Sequence, residues 1–172
     1  GKDPGAISDG VQEKDLTLAM ARALRDELLR GGGVRVALTR SEDRYLFLGE
    51  RSAIARQLGA DLFISLHADS TEVATGATGA TVYTLSAKGS NEVAERMAAR
   101  ENAADSINGV RIVEQSDDVS AILVDLSQRE SQEKSELFAR LILREGQGLM
   151  PFKEALPQSA AFAVLKAPDV PS

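Results

Sequence analysis

The sequence predicts an α/β domain in which helices flank a central, mostly parallel twisted sheet. Three features lead there. A short apolar run, Leu62, Phe63, Ile64 and Leu66, is long enough for a strand buried on both faces, as strands of parallel sheets are. A strand-like and then a helix-like segment precede it, and strand, helix, strand forms a right-handed crossover by default. The 172 residues, 43% hydrophobic and 27% charged, are enough for one domain with a real core.

Taken in order, Gly1–Gly10 carries three glycines, Pro4 and Asp3, which is turn chemistry. A helix is expected from about Glu13 to Leu29. Leu16, Met20, Ala23, Leu24 and Leu28 fall on one face of it, and Gly31-Gly32-Gly33 ends it. Val34–Thr39 reads as a strand, β-branched at its start. A polar connection, Arg40–Arg44, leads to a second helix supported by Leu46, Leu48, Ala53, Ile54 and Leu58 and closed by Gly59. The central strand follows, then a small-residue loop, Ser70–Gly79, and a further strand, Ala80–Leu85. A third helix is expected from Asn91 to about Ala104, with Val93, Met97 and Ala104 inward.

Beyond Asp105 the pattern changes. Ile107–Val113 is irregular, and Asp117-Asp118 offers a cap for a helix starting near Val119. Ile122, Leu123 and Leu126 lie on one side, Ser127–Glu136 is almost wholly polar, and Leu137, Phe138, Leu141 and Ile142 resume the apolar face before Gly146. Apolar ends and a polar middle suit a helix lying along a cleft, or joining two packing surfaces, better than a buried one. After a loop, Gln147–Pro157, the run Ala161–Lys166 reads as a last strand.

The composition excludes several classes of function. A net charge of −6 without a basic cluster argues against nucleic acid, and five Phe, two Tyr and no Trp give little for bases to stack on. Without cysteine there is no thiol nucleophile and no thiolate zinc site. No apolar run is long enough to span a bilayer. The numbering opens inside a loop, so a leader upstream is compatible with it.

Chemistry is expected at the end of the central strand, where ligands of open α/β sheets gather. His67, the single histidine, stands there and is followed by Asp69. An imidazole so placed can bind metal or move protons, and it can equally be hydrogen-bonded for structural reasons. Glu13, in the first turn of the first helix, suits the helix dipole whatever else it does. Arg40 and Arg51 read as structural ion-pair partners of nearby acids such as Asp43.

The order of motifs adds to this. Gly1-Lys-Asp-Pro-Gly-Ala, Glu13-Lys-Asp, Leu38-Thr-Arg-Ser-Glu-Asp-Arg, Asp61-Leu-Phe-Ile-Ser-Leu-His-Ala-Asp, Glu101-Asn-Ala-Ala-Asp and Phe162-Ala-Val-Leu-Lys-Ala-Pro-Asp-Val-Pro-Ser follow one another. Together they resemble the zinc-dependent N-acetylmuramoyl-L-alanine amidases of the Gram-negative cell-division type, over the whole chain. The resemblance implies a periplasmic peptidoglycan hydrolase that cuts between N-acetylmuramic acid and the first alanine of the stem peptide. It implies a Zn2+ cofactor, with Glu13 and His67 matching two of the family's three ligands. The other histidine ligand would precede Gly1 and the catalytic glutamate would follow Ser172. The chain is therefore expected to be incomplete at both ends, and alone to bind zinc poorly and turn nothing over.

The resemblance further implies that residues 101–147 form a helical regulatory insertion in a single catalytic domain spanning 1–172. Glu101 would close the open zinc position until a LytM-type activator protein displaces the lid. The partners so implied are peptidoglycan and that activator, on a monomer with no nucleic acid and no membrane span. Two other readings stand beside it: a metal-free module that binds peptidoglycan or a division protein, and an unrelated doubly wound domain with an incidental histidine.

Overall fold

The computed structural model describes residues 3–8, 10–69, 78–107 and 121–172. They fall into two compact units, one formed by residues 1–46 with 65–77 and the other by 47–64 with 78–172. Helices and short strands are mixed in both sequence and space.

The first unit opens with a small antiparallel hairpin, β1 (Ile7–Ser8) and β2 (Val11–Gln12), in which Ile7 faces Gln12 and Ser8 faces Val11. It runs straight into α1 (Glu13–Gly31). Glu13 and Asp15 occupy the first turn, where the helix dipole favours acids, and Arg30 the last. Gly32, at a φ of 72°, ends the helix with its N–H on the carbonyl of Leu29. The helix is where the periodicity put it, and its apolar face stays partly exposed. Leu16, Met20, Leu24 and Leu28 are 38–43% exposed, and no residue of α1 is fully buried. Polar tethers decide which side turns inward. Lys14 pairs with Asp43 at 2.7 Å, Arg40 donates to the Lys14 carbonyl, and Arg22 donates to the Ser41 carbonyl. These bonds lay the 40–43 connection along the flank that carries Lys14 and Arg22.

In the second unit α2 (Leu48–Gln57) buries Leu48, Ser52 and Ala55 on one side. The Glu50 carboxylate accepts the N–H of Phe47 at 2.7 Å, and both oxygens of Asp105 accept that of Leu48 at 3.1 Å. The helix closes at Gly59, at a φ of 58°, as expected from the sequence. A parallel pair follows, β3 (Tyr83–Leu85) on β4 (Gln158–Ala160), with Tyr83 opposite Gln158 and Leu85 opposite Ala160. Between them in sequence come α3 (Glu92–Asn102), a short α4 (Ala104–Ile107) and α5 (Ala121–Gly146). Asn91 caps α3 by accepting the Ala94 N–H at 2.9 Å.

The core of this unit gathers Leu48, Ala55, Phe63, Ala94, Ala98, Ala160, Phe162, Val164, Leu165, Ala167 and Val170. Five alanines among these let backbones approach closely. Phe162 and Tyr83 meet at 5.1 Å with their rings tilted by 59°. On α3 the inward residues are Ala94 and Ala98, with Met97 beside them, whereas Val93 is 57% exposed. On α5 it is Ser135, Ala139 and Leu143 that are buried, and Leu137 is exposed. Ser135 donates to the Ser131 carbonyl and accepts the N–H of Ser172, so the polar run is pinned at this point.

Three expectations for the sheet are corrected. Residues 34–39 and 62–66 lie in no ladder among the described residues, although the Phe63 N–H reaches the Pro171 carbonyl at 2.8 Å. A strand is defined by its partner, and an apolar run alone does not provide one. The last strand lies at Gln158–Ala160, and the expected run Ala161–Lys166 instead holds a 3₁₀ turn, Ala163–Leu165. Its buried side chains pack on α2 and α3, and burial of this kind does not distinguish strand from turn. The described residues therefore form two two-stranded ladders, one antiparallel and one parallel, and no central sheet. The loop residues 70–77, the Asp117-Asp118 cap, the start near Val119 and the facing of Ile122, Leu123 and Leu126 lie outside what is described.

Candidate metal centre

Glu13 follows directly on β2, so the hairpin and the first turn of α1 fix its backbone together. Ala6 grips it reciprocally. The Glu13 N–H donates to the Ala6 carbonyl at 2.8 Å, and the Ala6 N–H donates to Oε2 of Glu13 at 2.9 Å. Gly5 makes this approach possible. Its φ is 69°, and a Cβ there would collide with the Glu13 carboxylate.

The other carboxylate oxygen faces the stretch 65–69. Oε1 accepts the Ala68 N–H at 2.9 Å and lies 3.1 Å from Nδ1 of His67. The second ring nitrogen, Nε2, lies 3.2 Å from Oγ of Ser65. Glu13 is the more enclosed partner, its side chain 10% exposed against 28% for His67. A cavity of about 130 Å³ opens beside it, with Ser8, Leu16 and Asp69 in the wall. Burial alone would raise the carboxyl pKa. The hydrogen bonds with His67, Ala6 and Ala68, and the charge of the imidazole, outweigh burial and lower it to about 2. Glu13 is thus a carboxylate held ionised in an enclosed place, which is what a metal ligand requires.

A carboxylate oxygen and an imidazole nitrogen are donors that zinc accepts. Two donors on one tetrahedral zinc, each at about 2.0–2.2 Å, stand roughly 3.3–3.6 Å apart. The observed 3.1 Å is a direct hydrogen-bond distance, shorter than that, so the pair fits such an ion in kind but would have to part slightly to hold it. It is one donor short of the three protein ligands usual at catalytic zinc. Among the described residues no group of three His, Cys, Asp or Glu is arranged to hold a metal.

Of the residues singled out from the sequence, Glu13 and His67 come together although 54 positions separate them. Glu101 belongs to the other unit. It is the penultimate residue of α3, its side chain 16% exposed and 3.3 Å from the Arg100 guanidinium. Its neighbours in the Glu101–Asp105 motif have framework roles that the sequence reading missed. Asn102 donates to the Ala161 carbonyl at 2.8 Å and accepts the Ala163 N–H at 2.7 Å, while Asp105 holds the start of α2. Their polarity next to a helix end was the available signal. Gly5 and Ser65 were missed as well; neither belongs to a residue type that marks a metal site.

Comparison with known proteins identifies the family. A family model described as N-acetylmuramoyl-L-alanine amidase matches residues 1–172. The chain is 37% identical over 174 residues to the N-acetylmuramoyl-L-alanine amidase AmiA of Salmonella typhimurium, covering all of this chain and 60% of that protein. It is 37% identical to AmiC of Neisseria meningitidis, covering 41% of it. A sporulation-specific N-acetylmuramoyl-L-alanine amidase of Bacillus subtilis is 46% identical over 71 residues, or 41% of this chain. The chain thus spans between about two fifths and three fifths of the full-length relatives it matches end to end.

Proposed function

The chain belongs to the N-acetylmuramoyl-L-alanine amidase family, and from that premise we propose that it acts on peptidoglycan, hydrolysing the amide between the lactyl group of N-acetylmuramic acid and L-alanine. The observation that carries the chemical part of this reading is the contact of Glu13 with His67. These two residues would hold a zinc ion. When bound, zinc supplies a Lewis acid and lowers the pKa of water. The protein's own contribution is orientation. Ala6 and Ala68 fix both oxygens of Glu13, so its carboxylate needs little rearrangement to serve as a ligand.

The regulatory part of the reading rests on the resemblance of the sequence. Residues 101–147 are proposed as an inhibitory insertion within one catalytic domain, with Glu101 as its latch and a LytM-type activator as its release. The setting would be septal cell-wall splitting in the periplasm, by a monomer. No helix among the described residues is long and apolar enough to cross a membrane. The anchoring of Ser135, Ala139 and Leu143 bears on this reading, because it ties the second half of α5 to its own unit. Any displaced part of the insertion would therefore lie upstream of about Ser131. Residues 108–120 of the insertion are outside what is described.

The test is digestion of purified sacculi by a full-length protein, with and without Glu101→Lys, followed by mass spectrometry of the soluble products. Intact stem peptides with a free N-terminal L-alanine, released only when zinc is present, would support the amidase. A peptidoglycan-binding module on the same fold is the second reading. Sedimentation with sacculi and no released peptide would favour it.

A further inference from the structure

The ring of His67 meets a side chain at each nitrogen, and the one at Nε2 is no part of the zinc reading. Nδ1 faces Oε1 of Glu13 at 3.1 Å, and Nε2 faces Oγ of Ser65 at 3.2 Å. Ser65 is half-buried and stands two positions before the histidine, on the same stretch outside any helix or ladder. We propose that Ser65 is a positioning residue, which holds the His67 ring so that Nδ1 stays aimed at Glu13 whichever nitrogen carries the proton. This deepens the zinc reading given above and rests on it for its purpose.

A neutral imidazole has one N–H donor and one acceptor nitrogen, whereas a carboxylate can only accept. Against ionised Glu13, Nδ1 must therefore carry the proton, and Nε2 is left as an acceptor. The hydroxyl of Ser65 can then donate to Nε2. A metal at Nδ1 requires the reverse arrangement, with the lone pair on Nδ1 and the proton on Nε2. Loading then moves the ring from one tautomer to the other, and Nε2–H must find an acceptor. The Ser65 oxygen, with two lone pairs, can turn from donor to acceptor without moving its heavy atom. A hydroxyl is the smallest side chain able to serve both states. A carboxylate could only accept, so it would favour the loaded arrangement alone.

Groups that orient a metal-bound histidine through its far nitrogen change metal affinity by about 10- to 100-fold. Ser65→Ala should therefore weaken zinc binding by about tenfold or more, measured with zinc alone against a competing chelator. Ser65→Thr, which keeps the hydroxyl, should restore most of that loss. In a full-length protein the ring nitrogens of His67 can be read by nitrogen-15 NMR, their signals identified by their loss in His67→Gln. At mildly alkaline pH the metal-free parent should show its proton on Nδ1, and the zinc-loaded parent should show it on Nε2. Metal-free Ser65→Ala should give broadened or mixed ring signals while retaining the parent circular dichroism.

Zinc affinity in Ser65→Ala equal to that of the parent would overturn the proposal. If the parent binds no zinc, the zinc reading fails and the metal-free spectra decide about Ser65. Ring signals unchanged between parent and Ser65→Ala would then overturn the positioning role, and signals that differ would retain it. If Ser65→Ala fails to fold, Ser65→Thr and the two parent spectra decide.

Discussion

The carboxylate of Glu13 lies 3.1 Å from Nδ1 of His67, joining the start of α1 to residues 65–69 across 54 positions of sequence. Its other oxygen is taken by the N–H of Ala6, so the carboxylate is fixed at both ends.

That fixation depends on the absence of a side chain at position 5. Gly5→Ala would force alanine into a left-handed conformation, at about 1–2 kcal/mol, and would also push its Cβ into the Glu13 carboxylate. Gly10→Ala is the matched control. Its φ is 79°, yet a Cβ there meets nothing within 4 Å. Both variants should lose thermal stability, but only Gly5→Ala should also lose zinc affinity. Melting curves and zinc titrations of the two side by side check this.

Acid should act on the metal-free chain through the same carboxylate. The folded pKa of Glu13 is depressed from 4.5 to about 2. Its contribution to stability is therefore present above about pH 4.5 and is lost as pH falls towards 2. The amount is at most about 3 kcal/mol, by the conversion of pKa into free energy. In urea titrations with zinc chelated, Glu13→Gln should flatten this part of the stability profile. An unchanged slope between pH 4.5 and 2 would remove Glu13 as its source.

Asn102 holds two backbone groups of the 161–163 turn and Asp105 the first N–H of α2, so both are framework residues. Asn102→Ala and Asp105→Ala should each cost about 1–3 kcal/mol, the usual range for leaving a buried polar group without its partner. Urea unfolding measures the loss. Values within about 0.5 kcal/mol of the parent, as for neutral surface changes, would contradict these roles.

For the proposed latch, Glu101→Lys should raise basal peptidoglycan hydrolysis in a full-length protein without an activator. Removing the whole of Asp117–Gly146 is a poorer test, since it takes Ser135, Ala139 and Leu143 out of a packed unit. That deletion should lower the melting temperature whatever the latch does. A folded, zinc-loaded Glu101→Lys protein as inactive as the parent would exclude Glu101 from this role.

Much of the helical framework was legible because local signals set it. Gly32 and Gly59 end their helices, Asn91 starts α3, and Glu13 opens α1. Of the strands, the expected run Ala80–Leu85 holds β3, whereas residues 34–39 and 62–66 have strand composition but no ladder partner among the described residues. The shared apolar face of α1 was legible, but not that it stays partly exposed while the bonds of Lys14, Arg22 and Arg40 hold another flank to the 40–43 connection. On α3 and α5 small residues, Ala94, Ala98, Ser135 and Ala139, were buried in preference to Val93 and Leu137. Close packing of backbones favours small side chains there, and a count of large apolar residues misses it. Of the site, periodicity alone marked the end of the central run at His67. It was the resemblance that paired His67 with Glu13, and nothing in the residue types pointed to Ser65.

The central claim is that Glu13 and His67 share a zinc ion, and anomalous diffraction at the zinc edge from crystals grown with zinc tests it most directly. The account predicts a peak about 2.0–2.2 Å from Oε1 of Glu13 and from a ring nitrogen of His67. A zinc peak held by other residues, with Glu13 and His67 still bonded to each other, would contradict it.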